Sequence, residues 1–420
     1  MKKDNPIIAD RENSNRKKRD LTKPNHSEKS LLSSKIAKSG LRRKQTDKNQ
    51  QKGVIVIGLL VLVFFGVLIV LIYKLPNTPE LPKDDGLEPI ESANVETVLE
   101  LTAHEANRYY PFGNQLVYLS QDQIVLKNYA GNDIYQEQID FSRPVGVYNA
   151  NYFVAGDRNS GQIIVLDNHS KKFSLHLDGR FAGAYFGGDQ YLAIIEENTD
   201  QPGFVHIINI QNGEKMLMIQ FFESGYPLAV SFSNNVDFFD VLLTNMKGSM
   251  IQPIIKRYDL SGNQIGQKLP DDHPFLYGKI DHDSNNNIVI TSTSNILVLN
   301  LEQEKPIANY APGKVYEIAT GTKLTAFAST HIEDSLQIIE WDSEKLTFNE
   351  KEIEIGTSID NFTYSADYIT FTDGNKIKVF NRKSEIMVLD QVVTADIIRI
   401  GINSNQIILI TDQGVKILNL

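Results

Sequence analysis

Ile163-Ile164-Val165-Leu166-Asp167, "IIVLD", is four apolar residues closed by a carboxylate. A run apolar at consecutive positions and rich in β-branched side chains reads as a strand buried on both faces. The same pattern returns as "IVLKN" (Ile124–Asn128), "VHIIN" (Val205–Asn209), "IIKRY" (Ile254–Tyr258), "ILVLN" (Ile296–Asn300), "LQIIE" (Leu336–Glu340), "IKVFN" (Ile377–Asn381) and "VKILN" (Val415–Asn419). The eight copies start 39, 42, 49, 42, 40, 41 and 38 residues apart. Their fifth position is Asn, Asp or Glu in all but one; Tyr258 is the exception, and Asp259 follows it.

Each copy has the same neighbours. About ten residues earlier lies a second β-rich run, such as "QYLAII" (Gln190–Ile195) or "QIILIT" (Gln406–Thr411). A third run precedes that one, as in "PVGVYNA" (Pro144–Ala150) and "DIIRIGI" (Asp396–Ile402). A turn such as "QNGE" (Gln211–Glu214) and a fourth strand, "KMLMIQF" (Lys215–Phe221), follow it. Gly and Asn in these turns accept the positive φ of tight hairpins. Four short antiparallel strands in roughly 42 residues make a propeller blade. Burial on both faces agrees, because a blade is sandwiched between two others, whereas a sheet with one wet face alternates.

Eight signatures predict an all-β, eight-bladed β-propeller over residues 93–420, or a seven-bladed one if a copy is misassigned. The last copy has three strands before the chain stops at Leu420. "VETVLEL" (Val95–Leu101) precedes the first blade with no strands of its own. It is expected to supply the missing outer strand, with Val95, Val98 and Leu101 covering Val415, Ile417 and Leu420. The ring then closes without an open edge.

The N-terminal quarter has another character. Net charge is −10, yet Met1–Lys52 carries 16 Lys and Arg against 6 Asp and Glu, while the remainder carries 26 against 46. The tail has no aromatic residue and little to bury, so residues 1–52 are expected to be disordered. Gly53–Tyr73, "GVIVIGLLVLVFFGVLIVLIY", is 21 residues without a charge. As a helix it spans ~30 Å, the thickness of a bilayer core. Lys and Arg crowd its N-terminal side, which predicts a cytoplasmic N-terminus and a propeller outside. No small-residue cleavage signature follows, so a retained signal anchor in the cell membrane is expected. Residues 74–92 hold Pro76, Pro79, Pro82 and Pro89 and read as an extracytoplasmic stalk reaching up to roughly 55 Å. The chain has no cysteine, which excludes disulfides, zinc–thiolate sites and a thiol nucleophile.

Motifs for chemistry are few. Asp281-His282-Asp283-Ser284-Asn285 begins like a calcium loop but lacks its Gly and distal Glu, and it falls where each blade makes a hairpin; a turn is expected. The eight His residues have no metal-ligand spacing, and no metal or cofactor is expected. The one Trp, Trp341, reads as blade packing. Nucleic acid is a poor match for a tail with no aromatic residues among its basic ones. The longest loops between second and third strands are "EENTDQPG" (Glu196–Gly203), "NMKGSMIQP" (Asn245–Pro253) and "STHIEDS" (Ser329–Ser335). They share a face with inter-blade links such as "LPDDHPF" (Leu269–Phe275), and long loops on one face carry recognition. Asn198, Asp200, Met246, Lys247, Asp271, Asp272, His273, His331, Glu333 and Asp334 are the candidate partner residues on this face.

The blade pattern resembles quinoprotein-type and related repeat propellers. It lacks their A-x-D-x-x-T-G-x-x-x-W docking motif, so no quinone cofactor or dehydrogenase activity carries over. The arrangement of basic tail, single anchor, Pro-rich stalk and cysteine-free propeller is similar to uncharacterised single-pass membrane-anchored β-propeller proteins of Gram-positive bacteria, which have no established activity to transfer. Two functions stay open: a binding or scaffolding module for an envelope protein or polymer, and an enzyme acting on a glycan or small molecule at the propeller channel. Carboxylates or His at the channel mouth favour the enzyme; Gly, Ser and apolar groups there favour the scaffold.

Overall fold

The computed structural model describes residues 7–9 and 95–420, apart from 200–202, 223, 247, 249, 271–274, 312–313, 321–323, 333–334, 355–358, 366 and 404–405. Residues 53–73 and the stalk lie outside the described residues. Among the described residues no helix is long and apolar enough to cross a membrane.

The described strands fall into eight sheets, each with four antiparallel strands that sit side by side. The first seven use consecutive strands of the chain; the eighth takes three from the C-terminus and one from residues 95–100. Their inner strands are Tyr109–Phe112, Pro144–Tyr148, Arg180–Gly187, Tyr226–Phe232, Lys279–His282, Lys314–Thr320, Asn361–Tyr364 and Ile397–Asn403. Burial follows position within the sheet. The middle strands Ile288–Thr291 and Ile296–Leu299 are buried at every residue, whereas the outer strand Asp133–Gln138 alternates between exposed and half-buried. The cause is that both faces of a middle strand meet neighbouring sheets, while an outer strand borders water.

The cores sit between the sheets. Phe112 and Val117 of the first sheet pack with Phe153 and Ala155 of the second. Val205 and Ile207 of the third meet Val230 and Phe239 of the fourth. Val289 and Val298 of the fifth meet Ile339 and Trp341 of the sixth. At the end of the series Ile408, Ile410 and Val415 of the eighth sheet pack with Tyr109 and Leu116 of the first.

Val95–Glu100 pairs antiparallel with Gly414–Asn419, placing Val95 opposite Leu418 and Leu99 opposite Val415. The register shifts at Val98, and the Leu101 N–H donates to the Gln413 carbonyl at 3.0 Å. Val98, Leu99 and Leu101 pack on the core shared by the eighth and first sheets; Val95 and Leu420 pack on the core shared by the seventh and eighth. A side chain at Gly414 would stand 2.4 Å from the Leu99 carbonyl oxygen, so this close approach requires glycine.

Each sheet has two ends. In the fourth, Tyr226 lies opposite Thr244 at the end where the linker enters, and Phe232 lies opposite Phe239 at the end where the first hairpin turns. The signature residue acts at the hairpin end. A side-chain oxygen of Asn128, Asp167, Asn209, Asp259, Asn300, Asp342 and Asn381 accepts from backbone N–H groups two to four residues on. These are Asx turns closing the third hairpin of seven sheets. Asp259 fills the role beside Tyr258, and Asp342 fills it rather than Glu340, because the strands Gln252–Asp259 and Ser335–Asp342 are each eight residues long.

The sequence reads the whole basic tail as unstructured, but Ile7–Ala9 departs from that. It adds a parallel fifth strand to the third sheet, with Ile8 opposite Ile219. The physical reason is local: Ile7-Ile8-Ala9 is a short apolar run in a polar segment, and the outer strand Glu214–Gln220 offers an unpaired ladder.

Candidate functional site

The linker end of the fourth sheet carries the main exposed apolar surface. The inner strand starts there at Tyr226, the loop 246–251 leaves there after Asn245, and the outer strand Gln264–Lys268 ends there before Leu269. Nine of the thirteen large hydrophobic side chains exposed among the described residues lie between Phe222 and Leu276, and of these Ile265 alone sits near the hairpin end of its strand. Met250 is 68% exposed, Met246 56% and Leu276 54%. Single exposed apolar residues are ordinary on a surface; several at one end of a sheet are less so. Methionine, flexible and polarizable, suits such a surface.

Of the residues nominated from sequence, Met246 lies in this patch. Asn198 follows the strand Tyr191–Glu197 at the linker end of the third sheet and has a partner of its own. His331 belongs to the strand Leu324–Ile332 of the sixth. Asp200, Lys247, Asp271, Asp272, His273, Glu333 and Asp334 lie outside the described residues. Met250, Phe275 and Leu276, exposed in the same segments, are not among the residues nominated from sequence.

Beneath the linker end of the third sheet is a buried pair. His206 Nε2 lies 2.6 Å from Glu196 Oε2, with both side chains 4% exposed, and Glu196 Oε1 accepts the Gly179 N–H at 2.8 Å. Burial pushes the Glu196 carboxyl up; the His206 hydrogen bond and charge, with the Gly179 N–H, outweigh it and hold the carboxyl below its usual range.

The hairpin end has a different chemistry. His282 Nε2 lies 2.7 Å from Asp240 Oδ2, and its Nδ1 lies 3.0 Å from Ser231 Oγ. The composition is that of a nucleophilic triad, but the geometry is not. Nδ1 also faces the Phe232 carbonyl at 2.9 Å, an acceptor, so it carries a hydrogen and cannot take one from the serine. Arg257 grips Asp240 through two bonds of 2.9 and 2.7 Å and lies 3.8 Å over the Phe238 ring. Charge, hydrogen bonds and burial make this a strut between the fourth and fifth sheets. Sequence offered no sign of it, because its members are scattered from Ser231 to His282 with no motif.

Asp283, in the loop that begins like a calcium site, is fully engaged by protein donors. It accepts from the Asn285 and Asn287 backbone N–H groups, from Asn287 Nδ2, and from Trp341 Nε1 of the next sheet at 2.8 Å. No group of three metal-ligating side chains occurs among the described residues.

At the same end a cavity of about 470 Å³ opens between the inner strands of the first, second, seventh and eighth sheets. Tyr148, Asn149, Thr363, Tyr364 and Asn403 supply its polar lining, with Pro111, Gly113 and Ile402 among the rest. Among the described residues that line it there is no carboxylate and no His.

Residues 87–310 match the model of a family of unknown function, DUF5711. The chain belongs to that family. No curated protein matches it. Among solved structures it is similar to the crystal structure of BamB from Moraxella catarrhalis, with a TM-score of 0.50 and 13% identity over 78% of this chain and all of that one. It is also similar to Sqt1 from Saccharomyces cerevisiae, with a TM-score of 0.54 and 11% identity over 77% of this chain and 99% of that one. Both are propeller-like, and at this identity the likeness speaks for the fold alone.

Proposed function

We propose that this chain is an eight-bladed propeller anchored in the cell membrane by residues 53–73, with its propeller outside, and that it binds an envelope protein through the linker end of the third to fifth blades. The exposed apolar group around Met246, Met250, Phe275 and Leu276 carries the reading. A protein fits it better than a lipid surface does. Outside the basic tail the chain holds 46 acidic against 26 basic residues, and anionic lipid repels such a body. The channel-enzyme reading has less behind it: among the described lining residues of the cavity, tyrosines alone can titrate.

A photocrosslinker placed at Met250 or Leu276 in living cells is expected to give one discrete protein product, absent when the probe sits at Asn151 on the hairpin end. Met250→Ser with Phe275→Ser and Leu276→Ser should lower capture of that protein at least tenfold while the melting temperature stays put. Products that contain lipid alone, or capture indifferent to the triple change, would sink the proposal.

The anchor has its own test. A chain without cysteine can be labelled at one chosen site. With Cys placed at exposed His169, an impermeant maleimide should label intact cells; with Cys at Ser14 it should not. The pairing of Ile7–Ala9 with the third sheet requires the tail and the propeller on one side. Labelling at Ser14 would therefore favour that pairing and overturn the anchored topology.

A further inference from the structure

We propose that the cavity at the hairpin end binds an uncharged, hydroxyl-rich ligand, a neutral saccharide, and does not transform it. Arg399, on the inner strand that lends Gly401 and Ile402 to the lining, is already committed: its guanidinium donates to the Tyr109 carbonyl and stacks 4.1 Å over the Tyr110 ring. The polar groups among the described lining residues are all neutral. A charged ligand would enter such a site with its charge uncompensated.

The polar groups are of mixed sign, which suits hydroxyls. Asn149 uses Oδ1 to accept the Asn151 and Tyr152 N–H groups at 2.8 Å each, so its Nδ2 remains to donate. Asn403 uses Nδ2 to donate to Asn114, so its Oδ1 remains to accept. The Thr363 hydroxyl can do either. A saccharide hydroxyl, both donor and acceptor, satisfies all of them. An aliphatic ligand would leave them unpaired.

Tyr148 provides the flat surface. It is 38% exposed and lines the cavity, with Phe153 stacked 6.0 Å behind it at an interplanar angle of 12° and Tyr110 edge-on at 6.3 Å. A supported aromatic ring beside carboxamides can take the C–H face of a sugar while the amides bind its rim. The Tyr148 phenol hydroxyl can donate as well as accept. Among the described lining residues no carboxylate or imidazole is present to act as acid, base or nucleophile, and the site is proposed to bind without turnover.

The test is calorimetry on the full chain in a detergent without a sugar headgroup. The probes are maltotetraose, cellotetraose and chitotetraose, with tetragalacturonate as the anionic comparator. At least one neutral tetrasaccharide is expected to bind, and tetragalacturonate at least tenfold more weakly. Tyr148→Ala should weaken binding at least tenfold; Tyr148→Phe should hold it within about threefold, because the ring persists. Asn403→Asp, a charge in the same volume, should also weaken it. Binding by none of the neutral probes, equal binding of tetragalacturonate, or an unchanged titration for a Tyr148→Ala protein with an unchanged melt would overturn the assignment. So would release of shorter sugars during the titration. Failure here leaves the protein-binding linker end standing, since the two sites share no residue.

Discussion

The two ends of the sheets are built differently from one repeat. At the hairpin end, polar side chains are spent on holding sheets together: Asx turns close the hairpins, Asp240 joins His282 to Arg257, and Asp283 reaches Trp341 of the next sheet. At the linker end of the fourth sheet, apolar side chains stand in water. The difference follows from loop length. A tight hairpin leaves backbone N–H groups that a nearby side chain must satisfy, whereas a long loop satisfies its backbone with water and frees its side chains. The struts described above gather at the hairpin end, and the exposed apolar side chains at the linker end of the fourth sheet.

The largest way to break this comparison is to remove what both ends depend on. Deleting residues 95–101 strips the outer strand from Gly414–Asn419 and uncovers Val415 and Leu418, both fully buried. We expect a loss of about 5 kcal/mol or more, roughly the whole margin of a domain, and no cooperative melt by calorimetry. An unchanged melt would mean that the eighth sheet stands without its N-terminal strand.

Asp283→Ala tests the hairpin end alone. It leaves the Trp341 N–H and two backbone N–H groups of a buried turn without an acceptor. The expected cost is about 3 kcal/mol in chemical denaturation. Crosslinking from Met250, well below the melt, should not change. A loss of capture in the folded protein would show that the two ends are coupled.

The linker end of the third sheet has a buried carboxylate, and pH reaches it. The folded Glu196 carboxyl titrates below its usual value of 4.5, so its contribution is present above that value and is lost as pH falls through the folded value. Melting temperature should therefore drop as pH falls below the usual carboxylate value of 4.5. Glu196→Gln should flatten part of that drop and cost about 2 kcal/mol at neutral pH. Parallel pH curves for the two proteins would assign the acid sensitivity to other carboxylates.

How far the sequence carried can be judged from particular residues. The repeat was legible because burial on both faces leaves a nearly continuous apolar run, as at Ile163–Leu166. The closing strand was legible as one more β-rich run with no sheet of its own. The fifth-position rule was legible as composition but not as mechanism, so Glu340 stood where Asp342 acts. The apolar patch was half legible: the loops stood out by length and polarity, which led to Asp271 and Glu333 and away from Met250 and Phe275. The Asp240–His282–Arg257 strut and the neutral cavity were not legible, because each joins residues from separate sheets that only closure of the fold brings together.

The smallest expected effect asks what the signature residue does. Asp259 Oδ1 accepts the Ser261 and Asn263 N–H groups at 2.9 and 2.8 Å, and Oδ2 accepts from Asn263 Nδ2 at 2.9 Å. Its carboxyl lies below the usual range, held there by the Asn263 side chain and backbone. Asp259→Ala removes the acceptor and should cost about 1 kcal/mol, as loss of a helix cap does. The repeat contains its own control. Asn128, Asn209, Asn300 and Asn381 perform the same turn without charge. If the turn needs only an acceptor, Asp259→Asn should fall within about 0.5 kcal/mol of the parent by denaturation. A cost for Asn equal to that for Ala would mean that the charge, rather than the Asx geometry, holds the hairpin end of the fourth sheet.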